Sequence, residues 1–256
     1  MWSEERIQEV IRRQNTFFRS GKTLDTAWRI RQLKRLRQAV CDHENEILAA
    51  LRKDLGRAEA EGYFCDIGTV ILEINEMIAG LPRWSRPETH ASGIVCFPST
   101  TTKVYKMPYG TVLLISPFNF PFTLTLGPLA AAIAGGNTAV IKTSSKTPAC
   151  TAVLQKLTAE AFPEKYIAVI DGGHDTADLC LKQRFDKIFY TGSPRIGKHV
   201  MACASEHLTP VALELGGETG RTALHCIFSR RISSGQNRSC PPSSTEADAS
   251  TKCACT

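Results

Sequence analysis

Short apolar runs alternate with stretches of helical pattern along the chain beyond Gly110. The runs are Val112–Ile115, Ala139–Ile141, Ile167–Ile170, Ile188–Tyr190 and Val211–Leu215. Each is short and almost wholly apolar, which is typical of a strand that is buried on both faces. Strands that alternate with helices form a parallel sheet, because each crossover returns the chain to the same edge. The alternation therefore predicts an α/β fold, with a parallel sheet and helices on both of its faces.

Helices are predicted to precede this sheet. From Ser3 to about Arg83 the apolar residues recur three and four positions apart, which indicates amphipathic helices. The segment from Gly93 to Tyr109 is rich in Val, Thr and Ser, a composition that favours short antiparallel strands. The densest basic run, Arg29 to Arg37, has apolar residues at helical spacing. We interpret this run as the solvated face of a helix rather than as a nucleic-acid or membrane patch.

Composition narrows the class of protein. The chain has 256 residues, of which 43% are hydrophobic and 22% charged, so it can bury a core and disorder is not the expectation. Residues 1 to 14 lack the apolar centre of a secretory signal, and no stretch reaches the roughly 18 apolar residues of a membrane span. The ten cysteines are scattered, which favours a reducing compartment. We expect a soluble cytoplasmic protein with no membrane segment, nucleic-acid partner or metal site.

Chemistry is expected at the carboxyl ends of the strands, where open parallel sheets bind ligands. The first strand runs into Ser116-Pro117-Phe118-Asn119-Phe120-Pro121. The two prolines restrict the backbone, so the Asn119 amide can be held as a fixed hydrogen-bond donor, as an oxyanion hole requires. An ordinary Asx turn would give the same residues.

Two further strand ends carry polar or glycine residues. Lys142-Thr143-Ser144-Ser145 can hold ribose or phosphate oxygens, although a surface loop has the same composition. Gly192-Ser193-Pro194 predicts a helix start whose free N–H groups attract phosphate, with an unliganded cap as the alternative. Thr147-Pro148 and Ser193-Pro194 each place a capping hydroxyl before a proline.

Glu214 ends the fifth predicted strand, between two leucines. On a buried strand that faces an apolar pocket, its carboxylate would have a raised pKa and could act as a base near neutral pH. A solvated or lysine-paired glutamate at a strand mouth is the alternative.

Four segments in order carry a family resemblance. They are Ser116-Pro117-Phe118-Asn119, residues 135–142, Phe189-Tyr190-Thr191-Gly192-Ser193, and Leu213-Glu214-Leu215-Gly216-Gly217. Together they closely resemble the aldehyde dehydrogenase superfamily. The amino-terminal helices, with Leu81-Pro82-Arg83-Trp84 and Met107-Pro108-Tyr109-Gly110, look most like its class 3, fatty-aldehyde branch. The resemblance covers roughly residues 3 to 217 and implies a Rossmann-like cofactor domain, with the carboxyl-terminal half of the family's fold missing.

The resemblance also implies a mechanism. In that family a cysteine thiolate attacks the aldehyde, hydride passes to the nicotinamide, and a glutamate-activated water releases the acid. Glu214 would be that base, and Asn119 would be the side-chain donor of the oxyanion hole. NAD or NADP would lie against Ile115, Ser116, Pro117, Phe118, Lys142, Ser145, Gly192, Ser193, Leu215 and Gly216. An aldehyde is the implied substrate, and full-length family members are expected to form homodimers.

Two departures from the family pattern matter. Ser145 stands where many members have a glutamate that holds the adenine ribose, which removes a negative charge from the place of a 2′-phosphate. NADP should therefore be tolerated. The sequence also ceases to resemble the family after Gly217. Cys240 follows Gly235-Gln236 too late for the family's G-Q-x-C motif, and Cys253 and Cys255 match that motif less well.

The expected division is residues 1–217, comprising the helices and the NAD(P)-binding domain, and residues 218–256, a poorly structured tail unlike the family. A shifted reading frame, alternative splicing or a gene-model error near Gly217 is our hypothesis for that tail. The leading functional prediction is an aldehyde dehydrogenase by descent that does not turn over. A non-catalytic dinucleotide-binding protein and a nonfunctional product are the alternatives.

Overall fold

The computed structural model describes residues 2–93, 98 and 101–216. Gly217, the last residue of the predicted family domain, and the predicted tail, residues 218–256, lie outside the described residues. So do Cys240, Cys253 and Cys255, together with residues 94–97 and 99–100 of the segment that was expected to form antiparallel strands.

Helices form the amino-terminal part, as the three-and-four spacing predicted. Their bounds are α1 Glu4–Arg19, α2 Thr26–Asp42, α3 Glu44–Leu55, α4 Glu59–Gly62 and α5 Thr69–Trp84, with a 3₁₀ turn at Lys22–Leu24 and a π-helical turn at Tyr63–Gly68. The hydroxyl of Ser3 accepts from the backbone N–H of Arg6 at 3.3 Å, so α1 begins with a side-chain cap. None of the helices described is long and apolar enough to cross a membrane.

A two-stranded antiparallel ribbon follows the helices. Its strands are β1 Glu88–Ala91 and β2 Thr101–Val104, with Glu88 opposite Val104. The predicted segment began at Gly93, so it missed β1. The reason is that β1 is fixed by pairing with β2 and not by its own composition: all four of its residues are exposed and no apolar alternation marks it.

The main sheet is parallel, as predicted. In chain order its elements are β3 Thr111–Ile115, α6 Thr123–Ala134, β4 Thr138–Lys142, α7 Pro148–Ala161, β5 Ile167–Ile170, α8 His174–Leu181, β6 Lys187–Gly192, α9 Pro194–Ser205 and β7 Val211–Leu215. The spatial order is β5-β4-β3-β6-β7. The chain therefore builds outward from β3 in one direction and then returns to add β6 on its other side.

Alternate residues of the central strands enter two different cores. Val112 and Leu114 of β3 pack in one core with residues of α2, α3, α5, α6 and α7. Leu113 between them packs in the other core, with residues of α1, α8 and α9. Side chains of a strand point alternately to its two faces, so the sheet is covered by helices on both sides. Full burial of one such leucine stabilises the fold by about 1.5–3 kcal/mol.

Four aromatic rings meet beside the amino-terminal end of β5. Tyr166 lies 4.9 Å from Trp28 and 5.6 Å from both Phe17 and Phe162, measured between ring centroids. Its side chain is buried, and its hydroxyl has no hydrogen-bond partner among the described residues. The ring therefore contributes packing, whereas the hydroxyl is a buried polar group that is not compensated.

We expect Tyr166→Phe to leave the free energy of unfolding unchanged or to raise it, because burying an unpaired hydroxyl costs about 1–3 kcal/mol. Tyr166→Ala should lower it by about 3–5 kcal/mol through loss of the ring. Urea unfolding followed by tryptophan fluorescence measures both changes. A clear loss of stability in Tyr166→Phe would mean that the hydroxyl has a partner.

Candidate functional site

Four of the sequence segments singled out above lie at one edge of the sheet. The carboxyl ends of β4, β3, β6 and β7 are neighbours in that order, and the register aligns Ile115 with Lys142 on one side and with Tyr190 on the other. Adjacent strands lie about 4.8 Å apart. The strand order reverses between β3 and β6, which is where open sheets of this kind form a ligand crevice.

The loop Ser116–Phe122, which joins β3 to α6, forms one wall of this crevice. The N–H of Ser116 donates to the carbonyl of Lys142 at 3.0 Å, so the loop begins tied to β4. Asn119 is exposed. Its backbone carbonyl accepts from Nη2 of Arg57 at 2.7 Å, and its side-chain amide makes no hydrogen bond to any described residue. The side-chain amide of Asn119 is thus available as a donor, and the hydrogen bond from Arg57 holds its backbone.

Lys142 ends β4 and is 97% buried. Its Nζ donates to the carbonyls of Thr143 at 2.6 Å and Gly172 at 2.7 Å, so two of the three ammonium protons are taken. Burial lowers the pKa of this lysine, and Cys180 and Asp171 oppose the shift. One N–H is left for a ligand oxygen.

Ser145 and Lys146 are exposed beyond Lys142. The ammonium of Lys146 lies 4.5 Å from the ring centroid of Phe118, so it links the loops that follow β3 and β4. Sequence reasoning did not identify Lys146, because an exposed lysine in a loop carries no distinguishing pattern.

The predicted hydroxyl caps are wrong. Pro148 and Pro194 do begin α7 and α9, but neither Thr147 nor Ser193 makes a side-chain cap hydrogen bond. At α7 the N–H of Cys150 donates instead to Asp54 of α3 at 2.8 Å. A carboxylate from a distant helix has replaced the local hydroxyl as the cap, which is electrostatically favourable at a helix N-terminus.

Gly192 has a structural reason to be glycine. A Cβ there would lie 2.2 Å from the hydroxyl oxygen of Tyr190, and that hydroxyl donates weakly to the carbonyl of Ser193 at 3.4 Å. The packing of Tyr190 thus excludes a side chain at this position, with or without a phosphate beside it. Gly192 and Ser193 nevertheless lie on the β6 side of the crevice.

The predicted burial of Glu214 is wrong. Residues 211–213 of β7 are half-buried, and Glu214 and Leu215 are exposed. The reason is position: β7 is the last strand in the order, so β6 flanks it on one side alone within the described sheet. Glu214 lies opposite Thr191 of β6 in the register. The described residues form no apolar pocket around Glu214, which is exposed.

Two buried hydroxyls at the crevice lack partners. The Oγ of Ser116, just after β3, and the Oγ1 of Thr191, on β6, have no hydrogen-bond partner among the described residues. The two strands are neighbours at the reversal of strand order. Two surface concavities of the described chain, of about 560 and 340 Å³, involve none of the strand-end residues. The crevice is the candidate site, because the polar groups converge there.

Five cysteines fall in the described part of the chain, and all are free thiols. Cys150 and Cys180 are buried. Burial raises the pKa of both thiols, that of Cys180 to about 12, so neither is a thiolate near neutral pH.

Among the five described cysteines, we therefore expect iodoacetamide at neutral pH to label the exposed Cys41 first and to leave Cys150 and Cys180 unlabelled until the chain is unfolded. Peptide mass mapping over time gives the rate at each site, and urea-unfolded protein serves as the control. Labelling of Cys180 in the folded chain at the rate of Cys41 would contradict its burial.

Comparison with known proteins identifies a family that this chain matches. Residues 1–222 match the family model described as "Aldehyde dehydrogenase family". Aldehyde dehydrogenase family 3 member F1 of Arabidopsis thaliana is 39% identical over 231 residues, which cover 90% of this chain and 48% of that protein. The dog protein "Aldehyde dehydrogenase, dimeric NADP-preferring" is 38% identical, over 83% of this chain and 47% of its own.

A solved structure agrees with the sequence matches. The substrate-bound Staphylococcus aureus AldH superposes with a TM-score of 0.80 at 41% identity, covering 82% of this chain and 46% of that one. The chain spans about half the length of the curated relatives it matches.

Proposed function

The chain belongs to the aldehyde dehydrogenase family, and from that premise we propose that it binds NAD or NADP as the cofactor-binding part of an enzyme that oxidises aldehydes to carboxylic acids. Members of the family bind these dinucleotides. The observation that carries the proposal is the convergence of four strand ends at one edge of the sheet, on both sides of the reversal in strand order.

The residues at this edge suit a dinucleotide. Ile115 to Phe118 would line it on the β3 side, and Gly192 with Ser193 would face its pyrophosphate on the β6 side. The unpartnered hydroxyls of Ser116 and Thr191 would gain acceptors or donors from a polar ligand. The remaining N–H of Lys142 would reach a ribose or phosphate oxygen, and Leu215 with Gly216 would close the far end of the edge.

Two side chains would act on the aldehyde. The free amide of Asn119 would donate to the oxygen that becomes negative during attack on the carbonyl carbon. Glu214 would take a proton from the water that releases the acid. The nicotinamide, when bound, supplies the hydride acceptor. Glu214 is exposed in the described chain, so its action as a base requires a less solvated setting.

Ser145 and Lys146 support tolerance of NADP. Both are exposed at the end of the β4 loop, where a serine places no negative charge against a 2′-phosphate and the lysine supplies a positive one. A relative that is named NADP-preferring is consistent with this part of the proposal.

Homodimerisation and a cytoplasmic location also belong to the proposal. A relative is named dimeric, and the residues of the ribbon β1–β2 are exposed, as are strands that pair with a second chain. Free thiols at all five described cysteines favour a reducing compartment. We also propose that residue 217 is the boundary between the family domain and a tail unlike the family.

A second candidate is a dinucleotide-binding protein without turnover. It is favoured by the exposure of Glu214. Titration calorimetry with NAD and NADP, followed by an assay for aldehyde-dependent reduction at 340 nm, separates the two candidates. Binding with reduction supports the enzyme, binding without reduction supports the second candidate, and no binding contradicts both.

Lys142→Met should weaken NAD and NADP binding by about tenfold or more, because a charge-assisted hydrogen bond contributes about 1.5–3 kcal/mol. The ammonium must stay protonated, so the contribution of Lys142 should decline as pH rises through its lowered pKa. Calorimetry of Lys142→Met and of Lys156→Met provides the comparison, since Lys156 is exposed on α7 and pairs with Glu46. Equal affinities in the two variants would exclude Lys142 from the site.

Ser145→Glu should weaken NADP binding by about tenfold and leave NAD binding nearly unchanged, because the new carboxylate would repel a 2′-phosphate. The ratio of the two dissociation constants is the measurement, and Ser145→Gln is the uncharged control. A loss of affinity for both cofactors alike would place Ser145 away from the 2′ position.

A further inference from the structure

We propose that Arg57 and Asp66 are positioning residues, which together fix the loop Ser116–Phe122 and so hold Asn119 in place. This inference rests on the proposed function, in which Asn119 is the oxyanion donor and the same loop lines the cofactor. Neither Arg57 nor Asp66 belongs to any segment that pointed to the site from sequence.

Arg57 contacts Asp66 and two residues of the loop. Its Nη1 forms an ion pair with Asp66, and its Nη2 donates to the carbonyl of Asn119 at 2.7 Å. The guanidinium carbon lies 4.7 Å from the ring centroid of Phe120. The side chain is 9% exposed, and its Nε lies 3.6 Å from Glu61. A planar guanidinium can satisfy these partners at fixed angles, whereas an ammonium cannot.

Asp66 holds the other end of the loop. It is fully buried on the π-helical turn Tyr63–Gly68, a kind of turn often found at functional sites. One carboxylate oxygen accepts from the backbone N–H groups of Phe122 and Thr123, both at 3.1 Å, and the other pairs with Arg57. The carboxylate therefore caps α6 at the point where the loop ends.

The ion pair is compensated on all sides, as a buried pair must be to be tolerated. Burial raises the pKa of Asp66, while the N–H groups of Thr123 and Phe122 and the charge of Arg57 oppose the rise. Next to it, the hydroxyl of Thr123 donates to the carbonyl of Cys65 at 2.6 Å. The π-helical turn and the start of α6 thus form one hydrogen-bonded unit.

These contacts hold the backbone on both sides of Asn119 and leave its side chain free. Before Asn119, the N–H of Ser116 is bonded to β4. At Asn119 the carbonyl is bonded to Arg57, and after it the N–H groups of Phe122 and Thr123 are bonded to Asp66. A fixed backbone with an uncommitted amide is what a preorganised donor needs, because no reorganisation is then required when charge develops.

Arg57→Lys distinguishes positioning from stabilisation. Lysine keeps a positive charge beside Asp66 and so avoids an unpaired buried carboxylate, but it cannot keep the guanidinium's simultaneous bonds to Asp66 and Asn119. Arg52→Lys is the matched control, since Arg52 is exposed on α3. Hydrogen–deuterium exchange of the full chain then reports on the loop, with the N–H groups of Phe122 and Thr123 as direct probes of Asp66.

We expect Arg57→Lys to keep the melting temperature close to that of the wild type, while exchange across residues 118–123 accelerates about tenfold and the rest of the chain is unchanged. NAD and NADP affinities should fall by about tenfold, because the loop must then be ordered on binding. The side-chain amide signals of Asn119 in a ¹H–¹⁵N spectrum, assigned by their loss in Asn119→Asp, should shift or broaden. Arg52→Lys should change none of these readouts.

Wild-type exchange and an unshifted Asn119 signal in Arg57→Lys would overturn the proposal. So would acceleration spread evenly over the chain, because that outcome describes a stabilising ion pair without a positioning role. Failure of the wild type to bind either dinucleotide would refute the proposed function instead, and the exchange and amide signals would still decide whether Arg57 and Asp66 fix the loop.

Discussion

The burial of β3 and β4 on both faces constrains everything around them. Their residues enter two cores on opposite sides of the sheet, so a charged side chain has no place along either strand until its end. Helices must cover both faces, and polar side chains next follow the apolar runs of these strands at the carboxyl edge, in Ser116 and Lys142. Neighbouring parallel strands end side by side. The exclusion of polar groups from the core therefore also brings Ser116 and Lys142 together at one edge of the sheet.

The parts of the fold that depend on local pattern could be predicted from the sequence. The five strands of the parallel sheet and the amino-terminal helices follow from apolar runs and from three-and-four spacing. The predictions that were wrong concern features that are determined by a residue distant in sequence. β1 exists because β2 pairs with it, α7 is capped by Asp54 from 96 residues away, and Glu214 is exposed because β7 lies at the end of the strand order. A local pattern contains no information about any of these partners.

The residues of the candidate site divide in the same way, into those that a local sequence pattern identifies and those that depend on a distant partner. Asn119, Lys142 and Gly192 stand beside prolines, strand ends or helix starts, so the sequence could mark them. In the sequence, Arg57 resembles any other arginine in a polar turn. Its role depends on the hydrogen bond to Asn119, 62 residues further along the chain. Lys146 is similar, since its contact with Phe118 depends on two loops that meet because β3 and β4 are neighbours. In this site, a residue that orients another, such as Arg57, carries a weaker sequence signal than the residue that it orients, such as Asn119.

Two buried charges, Lys142 and Asp66, lie at the two ends of the loop Ser116–Phe122, and backbone groups compensate both. Carbonyl oxygens surround the ammonium of Lys142, and N–H groups with Arg57 surround the carboxylate of Asp66. Loops fixed in this way are ordered before a ligand arrives, so their ordering is not subtracted from its affinity. All of these contacts lie between residues 57 and 172. The residues that we propose to bind the cofactor all lie within the described chain, whereas the catalytic thiolate that the family resemblance implies is assigned to none of the five described cysteines.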